Sequence, residues 1–288
     1  MGAADYQNRR ENWTRIGGFY GEFDGGGHTI DNLYISGLIN QGLFGTVDAT
    51  GMLKNIRIAS GSVSGYNNTG GVAGANYGTI NACYNNADIS GSINRTGGVA
   101  GWNFGTINAC YNTGAVSGSG TVGGVVGNSN GTITACYNTG TVDGFSGVGG
   151  VVGGATLCAI TACYNTGAVS GIGFVGGVAG EASDGSITAC YNAGAVSGST
   201  ETGGVMGCNE YGTINACYWD NSVTPHPANG IGEPADDTDA APFNGAAAFP
   251  PVTATNAEWG AGDGSGSGKY WKAGTTGGGQ LPKLWFEQ

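Results

Sequence analysis

The sequence predicts an all-β fold, a parallel β-helix (β-solenoid) of about eight coils, and three observations carry that prediction. The first is a repeat. Aligned on cysteine, six units fall at Cys83, Cys110, Cys136, Cys163, Cys190 and Cys217, at intervals of 27, 26, 27, 27 and 27 residues, and a fixed period in the twenties is the signature of stacked units. The second is punctuation in the same register: Gly70-Gly71, Gly97-Gly98, Gly123-Gly124, Gly149-Gly150, Gly176-Gly177 and Gly203-Gly204. The third is segment length. Each unit reads "GGVxG", "GTIxACYN" and "AVSG", pieces too short for helices, rich in Val, Ile and Tyr, and bounded by turn residues. Two or three short strands per unit, one unit per turn, make a coil of parallel strands.

Composition agrees. The chain of 288 residues carries 61 glycines and only 10% charged residues, far from ordinary globular usage. With a net charge of −11 and nine basic residues, nucleic acid and anionic membranes have no electrostatic footing as partners. The acids are dispersed, so the charge reads as a solubility feature. No apolar run reaches the roughly 18 residues of a membrane helix, and "MGAADYQNRRENW" has no signal-peptide core. That start reads as an abrupt entry into a pattern already under way, as in a chain trimmed upstream with its export signal lost. "LPKL" at 281–284 lacks the Thr-Gly of a sortase signal.

The facing of each column follows from the first segments. Aligning "HTIDNLYI" (28–35) and "GMLKNIRI" (51–58) with "GTINACYN" (78–85) places Leu33 and Ile56 in the cysteine column, which therefore points inward. Side chains alternate along a strand, so the next column points to solvent: Tyr34, Arg57, Tyr84, Tyr111, Tyr137, Tyr164, Tyr191 and Tyr218. The one after it returns inward with Ile35, Ile58, Asn85, Asn112, Asn138, Asn165 and Asn192. Buried amides need partners, and identical amides about 4.8 Å apart can bond up the coil.

These columns set the candidate sites. The cysteines read as a ladder of small apolar side chains, against the alternatives of disulfides between adjacent coils and a thiolate metal site. Cys158 and Cys208 lie off the ladder, two repeats apart, beyond the roughly 7 Å that a disulfide spans, and are expected free. The paired glycines are expected to supply positive φ at tight corners. The exposed tyrosine stripe, Tyr84, Tyr111, Tyr137, Tyr164, Tyr191 and Tyr218, is the candidate binding surface, either a self-stacking ladder or a strip that holds glycan or protein. Thr134, Thr161 and Thr188 with Asn81, Asn108 and Asn215 are similar to ice-binding faces, although few Thr-x-Thr pairs occur.

"GLFG" at 42–45 matches the GLUG motif, and "GVAG" (71–74, 98–101, 177–180), "GVVG" (124–127, 150–153) and "GVMG" (204–207) are Val variants of it. Over about residues 13–219 the chain resembles the GLUG-motif repeat family. The resemblance implies a right-handed parallel β-helix from a bacterial surface or secreted protein of the adhesin-like kind. Similar repeats occur in immunoglobulin A-specific peptidases, whose zinc domain has no counterpart here: there is no His-Glu-x-x-His, and the two histidines are His28 and His226.

The competing expectation is a polysaccharide-acting enzyme or its carbohydrate-binding accessory domain, since such enzymes also use these coils. Within 61–218 the charges are Asp88, Arg95, Asp143, Glu181, Asp184, Glu201 and Glu210, at repeat positions that mostly differ, so they are not expected to line one strip. Glycoside hydrolysis needs two carboxylates at one bond, and one arginine cannot hold a polyuronate. "DDTD" (236–239) lacks the pattern of a calcium loop. No cofactor and no metal are expected. After Trp219 a Pro, Asp and Ala segment reads as an excursion, and "KYWK" and "LPKLWF", with Trp259, Trp271, Trp285 and Phe286, as an aromatic cap over the last coil. The expected organisation is a β-helix over 1–218, with N-terminal coils at 16–60 and regular repeats at 61–218, and a loop and cap over 219–288 packed on the same domain. The expected role is that of a monomeric, extracellular or cell-surface module that is not an enzyme and binds a host glycan or extracellular protein, or acts as a spacer.

Overall fold

The computed structural model describes residues 13–233, 240–243, 270–271 and 281–287. Among these residues every regular element is a strand, and no helix is long and apolar enough to cross a membrane. The third coil shows the plan. Its strands Ala73–Asn76, Thr79–Asn81, Tyr84–Asn85 and Asp88–Gly97 lie on four successive faces, here A, B, C and D. Each strand pairs in parallel with its counterparts below and above: Ala73 with Phe44 and Ala100, Ile80 with Leu53 and Ile107, Tyr84 with Arg57 and Tyr111. Faces A, B and C run to nine, eight and nine strands. The result is a parallel β-solenoid of about eight turns.

The interior is built from columns of identical residues. Ile80, Ile107, Ile133, Ile160 and Ile187 form one buried file, and the six cysteines of the repeat form another. Stacking equal shapes fills space without voids. The cysteines also close backbone valences: the amide N–H groups of Cys83, Cys110, Cys136 and Cys163 donate to the Sγ of the next coil at 3.3–3.4 Å. Each thiol in turn donates to a carbonyl two residues back, as from Cys110 Sγ to the Asn108 oxygen at 3.1 Å. All eight cysteines are free thiols. Burial pushes Cys83, Cys136 and Cys190 up, and Cys158 up to about 12.

The asparagine file is the polar spine. Asn85, Asn112, Asn138 and Asn165 each donate to the amide oxygen of the next coil at 2.8–2.9 Å, ending on Asn192. Each second amide hydrogen goes to a turn carbonyl two residues on, as from Asn138 to Gly140 at 2.7 Å. The second glycine of each pair makes room for this spine and the first for the neighbouring backbone, which corrects their expected role. None of them has positive φ; a Cβ on Gly124 would sit 2.1 Å from the Gly150 oxygen and 2.4 Å from the Asn138 carboxamide carbon. The left-handed corner between faces B and C is taken instead by alanine, at Ala82, Ala109, Ala135, Ala162, Ala189 and Ala216, with φ of 50–54°.

Two further differences concern the ends. Thr29 pairs with Arg57 and Ile30 with Ile58, so the first coil's face C strand is Thr29–Ile30. Leu33, Tyr34 and Ile35 lie one face further on, opposite Gly61, Ser62 and Val63, and are not in the cysteine, tyrosine and asparagine columns. The cause is a longer corner: four residues separate Glu22–Asp24 from Thr29–Ile30, where two separate Met52–Lys54 from Arg57–Ile58. At the other end the coil continues beyond Tyr218. Ile231–Glu233 pairs on face A and Ala240–Phe243 on face C. Trp219 occupies the asparagine column opposite Asn192 and is buried, so an indole closes the amide spine.

Candidate functional site

The tyrosine column stands on face C, with rings stacked at centroid separations of 4.5–4.9 Å from Tyr84 through Tyr191. Cross-coil stacking fixes their rotamers and stabilises the sheet. It is not an exposed stripe along its whole length. Tyr164 and Tyr191 are 5% and 1% exposed, beneath Trp271 and Leu284, which are themselves fully buried. The Tyr164 hydroxyl donates to Glu287 Oε2 at 2.6 Å and that of Tyr191 to the Pro282 carbonyl at 2.8 Å. Burial, with the Glu287 charge nearby, pushes both phenols up.

The described tail residues therefore form a strap on the side of coils six and seven, not a lid over the last coil. The reason is apolar area. Ala135, Ala162 and Ala189 beside the tyrosines form a smooth shelf onto which an indole and a leucine fit. Trp259, the Lys269 and Lys272 flanks of "KYWK", and "DDTD" lie outside the described residues. Tyr84 and Tyr111 remain half-exposed, with Arg57 5.5 Å above the Tyr84 ring and the Tyr84 hydroxyl 3.0 Å from Thr113 Oγ1.

A second aromatic group, which the repeat alignment did not single out, lies where face A turns into face B. Tyr77 and Phe104 follow their face A strands, at the position that Asp48 and Asn130 hold on the coils to either side. Their rings stack at 4.9 Å with planes 4° apart, yet they stay 43% and 38% exposed. Trp102, an outward residue of face A, packs its ring 4.2 Å from Phe104 and donates from Nε1 to Asn130 Oδ1 at 3.3 Å. The Arg95 guanidinium sits 4.0 Å over the Trp102 ring. Polar side chains edge this cluster. Asn40 donates to Thr46 Oγ1 at 3.1 Å, Asn68 donates to Asn40 Oδ1 at 2.8 Å, and Arg95 Nη1 reaches Asn68 Oδ1 at 3.5 Å. The signal in the sequence was local: "NYGTIN" and "AGWNFGTIN" put three aromatics at outward positions where the coils to either side hold Asp48 and Asn130 beside Tyr77 and Phe104, and Ala75 and Asn128 beside Trp102.

Further along face A the outward column becomes acidic. Asn128, Gly154, Glu181, Cys208 and Glu233 follow Trp102 in register, and Glu210 pairs with Ser183 beside them. Glu181, Glu201 and Glu210, expected to be scattered, thus gather with Glu233 near Cys208: partial burial first and these four charges second push its thiol up. Burial and then Glu210 push the Glu181 carboxyl up. Among the described residues no three His, Cys, Asp or Glu side chains converge to hold a metal ion. A shallow polar hollow of about 330 Å³ lies between Val196–Thr202 and Pro225–Ala228, with Glu201 and His226 on its walls.

No protein-family model and no solved structure matches the chain. Among curated proteins it is similar to halomucin from Haloquadratum walsbyi, 42% identical over 76 residues. That stretch is 26% of this chain and 1% of halomucin, so the chain spans only a small fraction of the relative it matches.

Proposed function

We propose that this chain is a non-catalytic module of a bacterial cell-surface or secreted protein, adhesin-like in role, that binds a glycan through the Tyr77, Trp102 and Phe104 cluster. One observation carries the reading: three aromatic rings held against one another on rigid parallel coils, with two of them about two-fifths exposed. Aromatic faces held by a scaffold offer apolar area at little entropic cost on binding, and the C–H faces of a pyranose ring are the matching surface. Asn130, bonded to the Trp102 indole, and the Arg95 guanidinium over the same ring place hydrogen-bonding groups beside the rings for sugar hydroxyls. The GLUG-like motifs support an extracellular setting. The half-exposed Tyr84 and Tyr111 are a lesser candidate, since their stacking already accounts for them.

The test is binding of the purified chain to an array of glycans and matrix proteins, beside Trp102→Ala and Tyr111→Ser variants. Loss of glycan binding in the folded Trp102 variant alone supports the platform; loss in the Tyr111 variant alone moves the site to face C; binding by neither parent nor variant leaves a spacer. A second reading, a polysaccharide-acting enzyme, draws on the raised Glu181 carboxyl beside Glu210, a pairing of the kind that serves general acids. Release of reducing sugar that disappears in Glu181→Gln would favour it.

A further inference from the structure

We infer that the ligand of the face A platform carries a carboxylate, held by Arg95; this rests on the glycan reading above and names the sugar class. Arg95 stands at a corner of the coil. The corner between faces D and A takes a left-handed residue in most coils, with Asn40, Asn68, Gly147, Phe174 and Glu201 at the positions equivalent to Arg95. Arg95 has φ of 47° there, just after a register shift between Gly91 and Asn94 that re-aims the strand. This corner sets the Arg95 guanidinium beside the outward ring of Trp102.

The guanidinium is also presented rather than consumed. One of its broad faces lies over the Trp102 ring, which leaves the N–H groups directed in the plane, the geometry that grips a carboxylate in two parallel bonds. Asn68 is its hydrogen-bond partner among the described residues, at the long distance of 3.5 Å, and no ion pair to Arg95 occurs among them. Between Arg57 and Lys283, Arg95 is the one cation in the described residues. A chain with net charge −11 repels a polyanion, so the fitting ligand bears a single acidic sugar at the docking point, a terminal sialic or uronic acid, with a neutral pyranose over Trp102 and Phe104.

The experiment compares sialyllactose with lactose, and a glucuronic acid-terminated disaccharide with its glucose counterpart, by calorimetry on the whole chain. A charge-assisted pair predicts about tenfold to a hundredfold tighter binding of each acid. Arg95→Gln should erase that preference while keeping neutral-sugar binding, Arg95→Lys should restore part of it, and Trp102→Ala should weaken both partners of each pair. Equal binding of acid and neutral sugars overturns the inference and leaves the glycan reading standing. Preserved acid preference in a folded Arg95→Gln overturns it as well. Binding of none of the four sugars by the folded parent chain overturns the glycan reading and this inference together.

Discussion

Replacing Asn138 by alanine tests the account of the interior most sharply. Its carboxamide accepts from Asn112 at 2.9 Å and donates to Asn165 at 2.9 Å, and it holds its own turn by donating to the Gly140 oxygen at 2.7 Å and accepting from the Gly140 N–H at 3.2 Å. Asn138 and Gly140 are both buried, so water does not replace what is lost. At about 1 kcal/mol for each of the four bonds, the substitution should cost about 4 kcal/mol, and the void left beside Gly124 adds to it. Urea denaturation gives the measurement, read as a shift in midpoint at constant slope. Thr132→Ala, on an exposed face B position, serves as the control and should stay within about 0.5 kcal/mol. A loss below about 1 kcal/mol for Asn138→Ala would show that the amide file is ornament and that the apolar columns alone hold the coils.

Three other outcomes follow from the same structure. Glu181 has its carboxyl raised, so the folded state favours the protonated form: its favourable contribution is present below the unfolded value near 4.5 and is lost as pH rises through the folded one. Glu181→Gln should therefore stabilise the protein at pH 7 and not at pH 4, and equal effects at both would refute the sign. With an aromatic disulfide reagent under native conditions, Cys208 should react, slowly because its thiol is pushed up, while the buried ladder and Cys158 stay silent; Cys208→Ser should abolish the signal. The phenols of Tyr164 and Tyr191 are also raised, so the strap's contact is intact below about pH 10 and weakens above it. Trp271→Ala should let those two tyrosines ionise nearer pH 10 in an ultraviolet titration, and an unchanged titration would mean that the strap does not cover them.

How far the sequence could be read depended on whether a feature repeats. Columns spanning six coils were legible because a repeated residue must meet its own copy: the cysteine and asparagine files needed only the period and the alternation of a strand. The first coil breaks the alignment because its corner is not of constant length: two extra residues at 25–28 move Leu33, Tyr34 and Ile35 to the next face. The glycine pairs turn no left-handed corner; they let backbone and amides from elsewhere in the coil approach closely. Tyr164 and Tyr191 looked exposed because nothing local reveals that residues about 100 positions later fold back upon them.

The sequence by itself determined the parallel coil, its period and the identity of its inner files, since these follow from a spacing of 26 or 27 residues and from which side chains tolerate being dry. Only the tertiary structure decided which surfaces remain open. Exposure depends on contacts between segments far apart in the chain, and such contacts leave no periodic trace. The strap takes Tyr164 and Tyr191 out of solvent. Three aromatics and one arginine, each a departure from the repeat in side chain, became neighbours because the coil brings residues a full turn apart within ring-stacking distance.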